Sequence, residues 1–562
     1  MNTQRPISPI QKRIAAAQGK ILCDLIIEDV SFLDVFSCKF RTGTIAISDG
    51  VVVGIESGLK ARRTISGRGK TLVPGFIDAH VHIESSLLVP PHFQDAVLKR
   101  GTTTAICDPH ELANVSGVQG IQYFLDAALE LALDLRVMLS SCVPATDFET
   151  NGAGKISAAQ LVSLLSHPKA LGLAEVMNVP GVLNAAPEVI DKLEAFSHLP
   201  IDGHCPLVNG QALSAYASAG ISSCHESSNL DEAAEKLTKG ISVWIREGSV
   251  AKDLQALIPL LNMATSTSIG FCTDDRNPLD IAKEGHIDHL VRSAIKYGIE
   301  PEIAYRAASF SVARHYRLAG LGAIAPGYRA DLVMLDDSRS CTIHSVYKNG
   351  IPVDEIALAK ASLDRRQNSI RAETPSESDL GSAEGRVNVI GVRSGRILTE
   401  HLILDHNDPG VARLSVLERY GKKSKPANGY VLGFGSSLNG AIASSVGHDS
   451  HNLIVVGTNA ADMQTALSAL IASAGGFCVV QNRTVLAQLA LPFGGLMSQE
   501  PADVIEQALK KLHAASASIG CELPEPFLQL AFLSLPVIPS LKLTDKGLFD
   551  VNLFKVIDVR AS

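Results

Sequence analysis

Between residues 71 and 274 the chain alternates apolar runs with stretches of helical periodicity. The apolar runs cover 71–82, 103–108, 135–143, 170–177, 200–204, 220–225, 241–247 and 268–274. They lack the strict polar/apolar alternation of a half-exposed strand, so each reads as a strand buried on both faces. Stretches such as 117–133 and 231–239 read as helices between them. Buried strands alternating with helices in this way predict an α/β fold, a (β/α)8 TIM barrel over residues 71–325.

The flanks follow another rhythm. Short strands are expected at 23–28, 43–48 and 51–56, with Asp49-Gly50 as a hairpin turn. A matching fragment follows residue 325, with a strand at 343–348 and a second turn at Asn349-Gly350. Residues 1–70 and 326–372 are therefore expected to build one β-sandwich around the inserted barrel. Residues 373–385, rich in Ser, Glu and Pro, read as a linker. Residues 386–562 carry strand patterns at 387–392, 452–457 and 476–480 and helical ones at 460–474 and 501–515. They form a further α/β domain at the C-terminus.

Composition narrows the class. A chain of 562 residues exceeds one core, and 46% hydrophobic with 19% charged residues describes a globular protein. The net charge of −8 speaks against non-specific nucleic-acid binding. Lys422-Lys423-Ser424-Lys425 is the best basic patch, and it reads as a solvated loop. The ten cysteines contain no C-x-x-C pair and fall largely in apolar runs, as buried free thiols in a reducing compartment do. Residues 1–20 lack the apolar centre of a signal peptide, and no apolar run reaches membrane-spanning length. A soluble cytoplasmic protein without a membrane partner is expected.

The polar residues that end the strands carry the chemistry. The first run ends in His80-Val81-His82, and residues two apart in a strand share a face. Two imidazoles side by side are a ready pair of metal ligands. Later strand ends bring Asp108-Pro109-His110-Glu111, Glu175, His204, Cys224-His225-Glu226, Arg246-Glu247 and Thr273-Asp274-Asp275. All would lie on the barrel face where such folds do chemistry. A metal site is the natural reading of that coincidence.

The arrangement resembles the amidohydrolase superfamily. That resemblance implies metal ligation by His80, His82, Glu175, His204, His225 and Asp274. Glu175 stands where many members bridge two metals with a carboxylated lysine. The stretches His82-Ile83-Glu84-Ser85-Ser86, Asp108-Pro109-His110-Glu111, Ala174-Glu175-Val176-Met177, Arg246-Glu247-Gly248-Ser249 and Thr273-Asp274-Asp275-Arg276 look like the bacterial adenine deaminases. These also carry an extra C-terminal domain of this size.

The resemblance implies hydrolysis of a cyclic amidine C–N bond, adenine and water giving hypoxanthine and ammonia in purine salvage. It implies a binuclear divalent centre of Mn or Fe, with Zn acceptable to the same ligands, and a homo-oligomer, a dimer at the simplest. Asp274 is the expected base, and Glu111 and Glu226 are the candidate proton donors to a ring nitrogen. Glu84, Asp108 and Asp275 are expected to contact substrate. The polar loop Val446-Gly447-His448-Asp449-Ser450-His451-Asn452 is expected to bring His448 to the site as part of a lid. Residues after 386 are expected to support activity without supplying metal ligands.

Other readings fall away. His82-Ile83-Glu84 fits the first half of the cytidine-deaminase signature, but no P-C-x-x-C follows. His110-Glu111-Leu112-Ala113-Asn114 lacks the second histidine of a zincin. Another cyclic amide or aminated heterocycle as substrate, in the manner of dihydroorotase or hydantoinase relatives, is the alternative activity. A metal-free scaffold would have lost ligand positions that are all present here. Trp244 is expected to pack in the barrel rather than stack on substrate.

Overall fold

The computed structural model describes residues 8–360, 368–381, 383–422 and 425–561. Eight parallel strands form the central sheet in chain order. They are β1 (Phe76–Val81), β2 (Thr102–Cys107), β3 (Asp134–Leu139), β4 (Ala170–Val176), β5 (Ile201–Gly203), β6 (Ser223–Cys224), β7 (Ser242–Arg246) and β8 (Ile269–Cys272). Each expected apolar run supplies one of them. Helices such as Val118–Glu130 and Leu230–Thr238 return the chain between strands. No ladder joins β8 to β1, and the ring closes through one residue beyond β8. The Asp274 N–H donates to the His80 carbonyl at 3.0 Å, and the His82 N–H donates to the Asp274 carbonyl at 3.2 Å.

The floor of the barrel is filled by the segment after Phe310–His315. The Tyr316 hydroxyl reaches the Ala79 carbonyl at 2.9 Å, Asp202 Oδ2 at 2.8 Å and Trp244 Nε1 at 3.2 Å. These partners belong to β1, β5 and β7, so the ring of Tyr316 stands inside the cylinder. Trp244 is 1% exposed and belongs to this packing, as expected. Burial raises the carboxyls of Asp78 and Asp202 to about 7. Thr273 and Ser223 satisfy them just beneath the functional face.

The two flanks do form one unit. Thr71–Pro74 pairs with Leu332–Asp337 in an eight-stranded sheet that mixes strands from both ends of the barrel insert. Asp49-Gly50 and Asn349-Gly350 turn with positive φ at both residues, the geometry of a tight hairpin. The two turns meet: Ala330 N–H donates to the Gly50 carbonyl at 2.9 Å, and Gly350 N–H to the Ala330 carbonyl at 2.8 Å. The sheet thus folds back on itself, and Val52, Leu332 and Tyr347 share one core.

The apolar run at 71–82 is split at Gly75, where the chain passes from that sheet into the barrel. A Cβ at Gly75 would collide with the Thr103 side chain. Gly75→Ala is therefore expected to cost about 1–3 kcal/mol, seen as a lowered denaturation midpoint with unchanged metal content.

The C-terminal part holds a third eight-stranded sheet, with helices Ala460–Ala472 and Ala502–Ser518 and a small three-stranded sheet. It sits directly on the barrel. Ser498 N–H donates to the Leu87 carbonyl at 2.7 Å, and Thr150 N–H to Asp545 Oδ1 at 2.8 Å. Apolar residues of both parts belong to one continuous core. The 373–385 segment is docked rather than free. Leu380 is 1% exposed, and Asn428 Nδ2 donates to the Asp379 carbonyl at 2.9 Å. In the basic patch, Lys422 donates to the Asn151 carbonyl at 2.9 Å; Lys423 and Ser424 lie outside the described residues. No described helix is long and apolar enough to cross a membrane, and all ten cysteines are buried free thiols.

Candidate metal centre

The strand ends converge on Glu175, which leaves β4 and is 2% exposed. Its two oxygens face different partners. Oε2 lies 2.8 Å from His204 Nδ1 and 3.2 Å from His225 Nε2. Oε1 lies 3.3 Å from His82 Nε2 and 4.0 Å from His80 Nε2. Asp274 Oδ1 completes the second set, 3.5 Å from His80 Nε2 and 3.2 Å from His82 Nε2. One carboxylate thus spans two nests of donor atoms, as a bridging ligand must.

The donors have the right chemistry for divalent cations. His82 Nδ1 lies 2.9 Å from the Asp108 carbonyl. A carbonyl only accepts, so Nδ1 carries the proton and Nε2 presents a lone pair. Burial and the neighbouring His225 hold His80 down to about 4, a neutral imidazole near pH 7. Nitrogen and carboxylate oxygen donors in a buried cluster suit first-row divalent metals. His80, His225 and Asp274 group within ligand distance of one another, as do Glu175, His204 and His225.

Residues 71–353 match the amidohydrolase family and residues 393–555 the adenine deaminase C-terminal domain. The chain is 49% identical to the adenine deaminase of Methylobacterium nodulans over 563 residues, covering 98% of this chain and 99% of that one. Adenine deaminase 1 of Agrobacterium fabrum is 46% identical over 569 residues, covering 99% of each. That of Gluconobacter oxydans is 48% identical, covering 97% and 98%. The chain belongs to the adenine deaminase family of amidohydrolases. A solved amidohydrolase structure also matches, at TM-score 0.44 and 17% identity, over 60% of this chain and all of the other.

Further charged groups surround the bridge. Asp274 adopts φ of 54°, a left-handed conformation that Asp tolerates better than most residues. That bend seals the barrel and points the carboxylate inward. Burial opposes its ionisation, but His80, His82 and Arg246 outweigh burial and hold it well below the usual range. Arg246 makes a forked contact with Glu226, a 3.0 Å contact with Asp274 Oδ2 and another with Asp253. Glu226 stays ionised against its own burial because of that guanidinium.

Glu111 is likewise held as a carboxylate, its burial outweighed by His448, His451 and His110. It contacts both His448 and His451 directly. His110 lies 3.1 Å from Asp108 Oδ2, 3.2 Å from Glu175 Oε1, 3.5 Å from Glu111 and 3.6 Å from Asp449. It thereby links the bridge to the C-terminal loop. Asp275 behaves differently: burial, then the charge of Asp274, raises its carboxyl, which accepts from Ser85 Oγ. Glu84 lies a step back, accepting from Leu112 N–H at 3.0 Å, and burial raises it to about 7.

His110 belongs to a motif with no role expected of it, and none was expected of Asp449, His451 or Arg246. The Asp-Pro-His-Glu spacing after β2 was a usable signal for His110. Arg246 was visible as a strand end and Asp449 and His451 as members of the polar loop, but their partners, and so their roles, are remote in sequence. The His448 loop, expected at the site, is buried and lines a cavity of about 30 Å³ over the candidate metal ligands. Ile397, Phe532, Leu535 and Ile538 from the same C-terminal part complete its roof.

Proposed function

We propose that the protein deaminates adenine to hypoxanthine and ammonia at a pair of divalent metals held by His80, His82, Glu175, His204, His225 and Asp274. The observation that carries this reading is Glu175 spanning two donor nests on the functional face of the barrel. The all nitrogen-and-oxygen donor set supports Mn or Fe, with Zn acceptable to the same ligands. When bound, such a pair supplies a water whose pKa falls from about 15.7 toward about 7.

The protein's own groups handle the protons. Asp274, ionised and braced by Arg246, takes one proton from the attacking water and passes it to the purine ring nitrogen, then carries the remaining hydroxyl proton to the amine, which leaves as ammonia. Asp275, which accepts from Ser85 Oγ and lines the same cavity, contacts the substrate. Glu111 and Glu226 fit a positioning role better than that of proton donor, because each is already committed to cations. Glu111 fixes His448, and Glu226 fixes Arg246. Asp108 orients His82 and His110, while Glu84 anchors the turn after His110 through Leu112. The apolar roof excludes bulk water and strengthens these interactions.

The test is ammonia release from a panel of purines, pyrimidines and cyclic amides by metal-loaded protein, with metal content measured alongside. Adenine is expected to be the best substrate, with two metals per chain. Release from a different heterocycle, with adenine inert, would replace the substrate assignment and leave the centre intact.

A further inference from the structure

The cavity over the metal ligands holds about 30 Å³, space for roughly two waters and not for a purine. A second cavity of about 560 Å³ lies beside it, between the barrel face and the C-terminal part. The two share Glu226, Arg246, Ile397 and Ile538 in their linings. Glu226 and Arg246 are locked in their ion pair, so the two isoleucines are the side chains free to yield. Ile397 sits on the irregular segment between strands Arg386–Gly391 and Glu400–Asp405. Gly395 in that segment has φ of 72°, and a Cβ there would meet nothing.

One buried residue ties this region together. Lys542 is 0% exposed and donates to the Ile397 carbonyl and the Phe532 carbonyl, each at 3.0 Å. Among the described residues no carboxylate pairs with it, so two roof carbonyls are its partners. Burial pulls its amine down to about 7, and a lysine in so costly a position ties the Ile397 segment to the Phe532 segment through its two hydrogen bonds.

We propose that the larger cavity is the antechamber through which substrate reaches the metal centre, and that Ile397 and Ile538, on segments fastened by Lys542, are the gate between the two. The ligand's identity as a purine rests on the function proposed above; the route does not. The antechamber suits a small neutral heterocycle, being lined by apolar Leu207 and Leu398 together with polar Glu232, Asp253 and Arg396. Gating of this kind often limits turnover.

Full-length, metal-loaded protein allows a test that does not depend on turnover. The rate at which 1,10-phenanthroline, a planar tricyclic chelator somewhat larger than a purine, strips the metals reports passage through the gate. Ile397→Trp is expected to slow extraction and to lower kcat/KM for adenine by about tenfold, with full metal occupancy at the start. Ile397→Ala and Lys542→Met are expected to speed extraction. If Ile397→Trp fails to fold, Ile397→Ala decides alone. Extraction at the wild-type rate in the Ile397 variants would overturn the gate. Wild-type protein that releases no ammonia from any purine would overturn the functional reading instead, while the extraction rates still judge the route.

Discussion

Asp274→Asn is expected to keep both metals largely bound while turnover falls by roughly 100-fold or more, the usual size of a lost general base. Asparagine preserves the shape, tolerates the left-handed backbone at this position and still offers an oxygen to a cation. It cannot take a proton. The wild-type carboxylate is kept ionised by His80, His82 and Arg246 together, so near pH 7 it is available as the base. Its folded pKa is lowered, so this ionisation is lost only as the pH falls below the ordinary carboxylate range. Asp275→Asn serves as the comparison. An amide keeps the shape and can still make a polar contact with substrate, so that variant should be milder. Asp274→Asn with intact turnover, beside an inactive Asp275→Asn, would exchange the two roles. Steady-state rates with metal content measured on the same samples decide it.

Glu175→Gln should strike composition as well as rate. His82, His110, His204 and His225 all face this one carboxylate within 3.3 Å. A neutral amide supplies no charge between two cations, and its NH2 group accepts nothing from the imidazole nitrogens that now face a carboxylate oxygen. Breaking a buried charge pairing from one side costs about 3–5 kcal/mol, which corresponds to roughly 100-fold or more in metal affinity. At least one metal and most of the activity should be lost, as metal analysis after dialysis would reveal. A variant that retained two metals and full turnover would remove Glu175 from the bridge.

Much of this was legible in the chain because its signals are local. Each barrel strand is a short apolar run, and its polar terminus must fall at the same end of the cylinder as the others. His80, His82, Glu175, His204, His225 and Asp274 could therefore be picked out one strand at a time. The two Gly-containing turns were legible for a similar reason: positive φ at paired positions strongly favours Asn, Asp and Gly.

Tertiary structure decided what depends on groups remote in sequence. Only the folded chain shows that Glu111 meets His448 and His451, and Glu226 meets Arg246, the contacts on which the positioning role proposed for both rests. The 373–385 stretch has the composition of a linker, yet it docks because Leu380 finds an apolar surface on the C-terminal sheet. The roof of the reaction cavity could not be read either. Ile397, Phe532 and Ile538 are ordinary hydrophobic positions in sequence, and they acquire meaning only because the C-terminal part packs onto the barrel face. Local pattern fixes which way a strand points and what residue ends it, whereas charge pairing and cavity shape are set by neighbours that folding alone brings together.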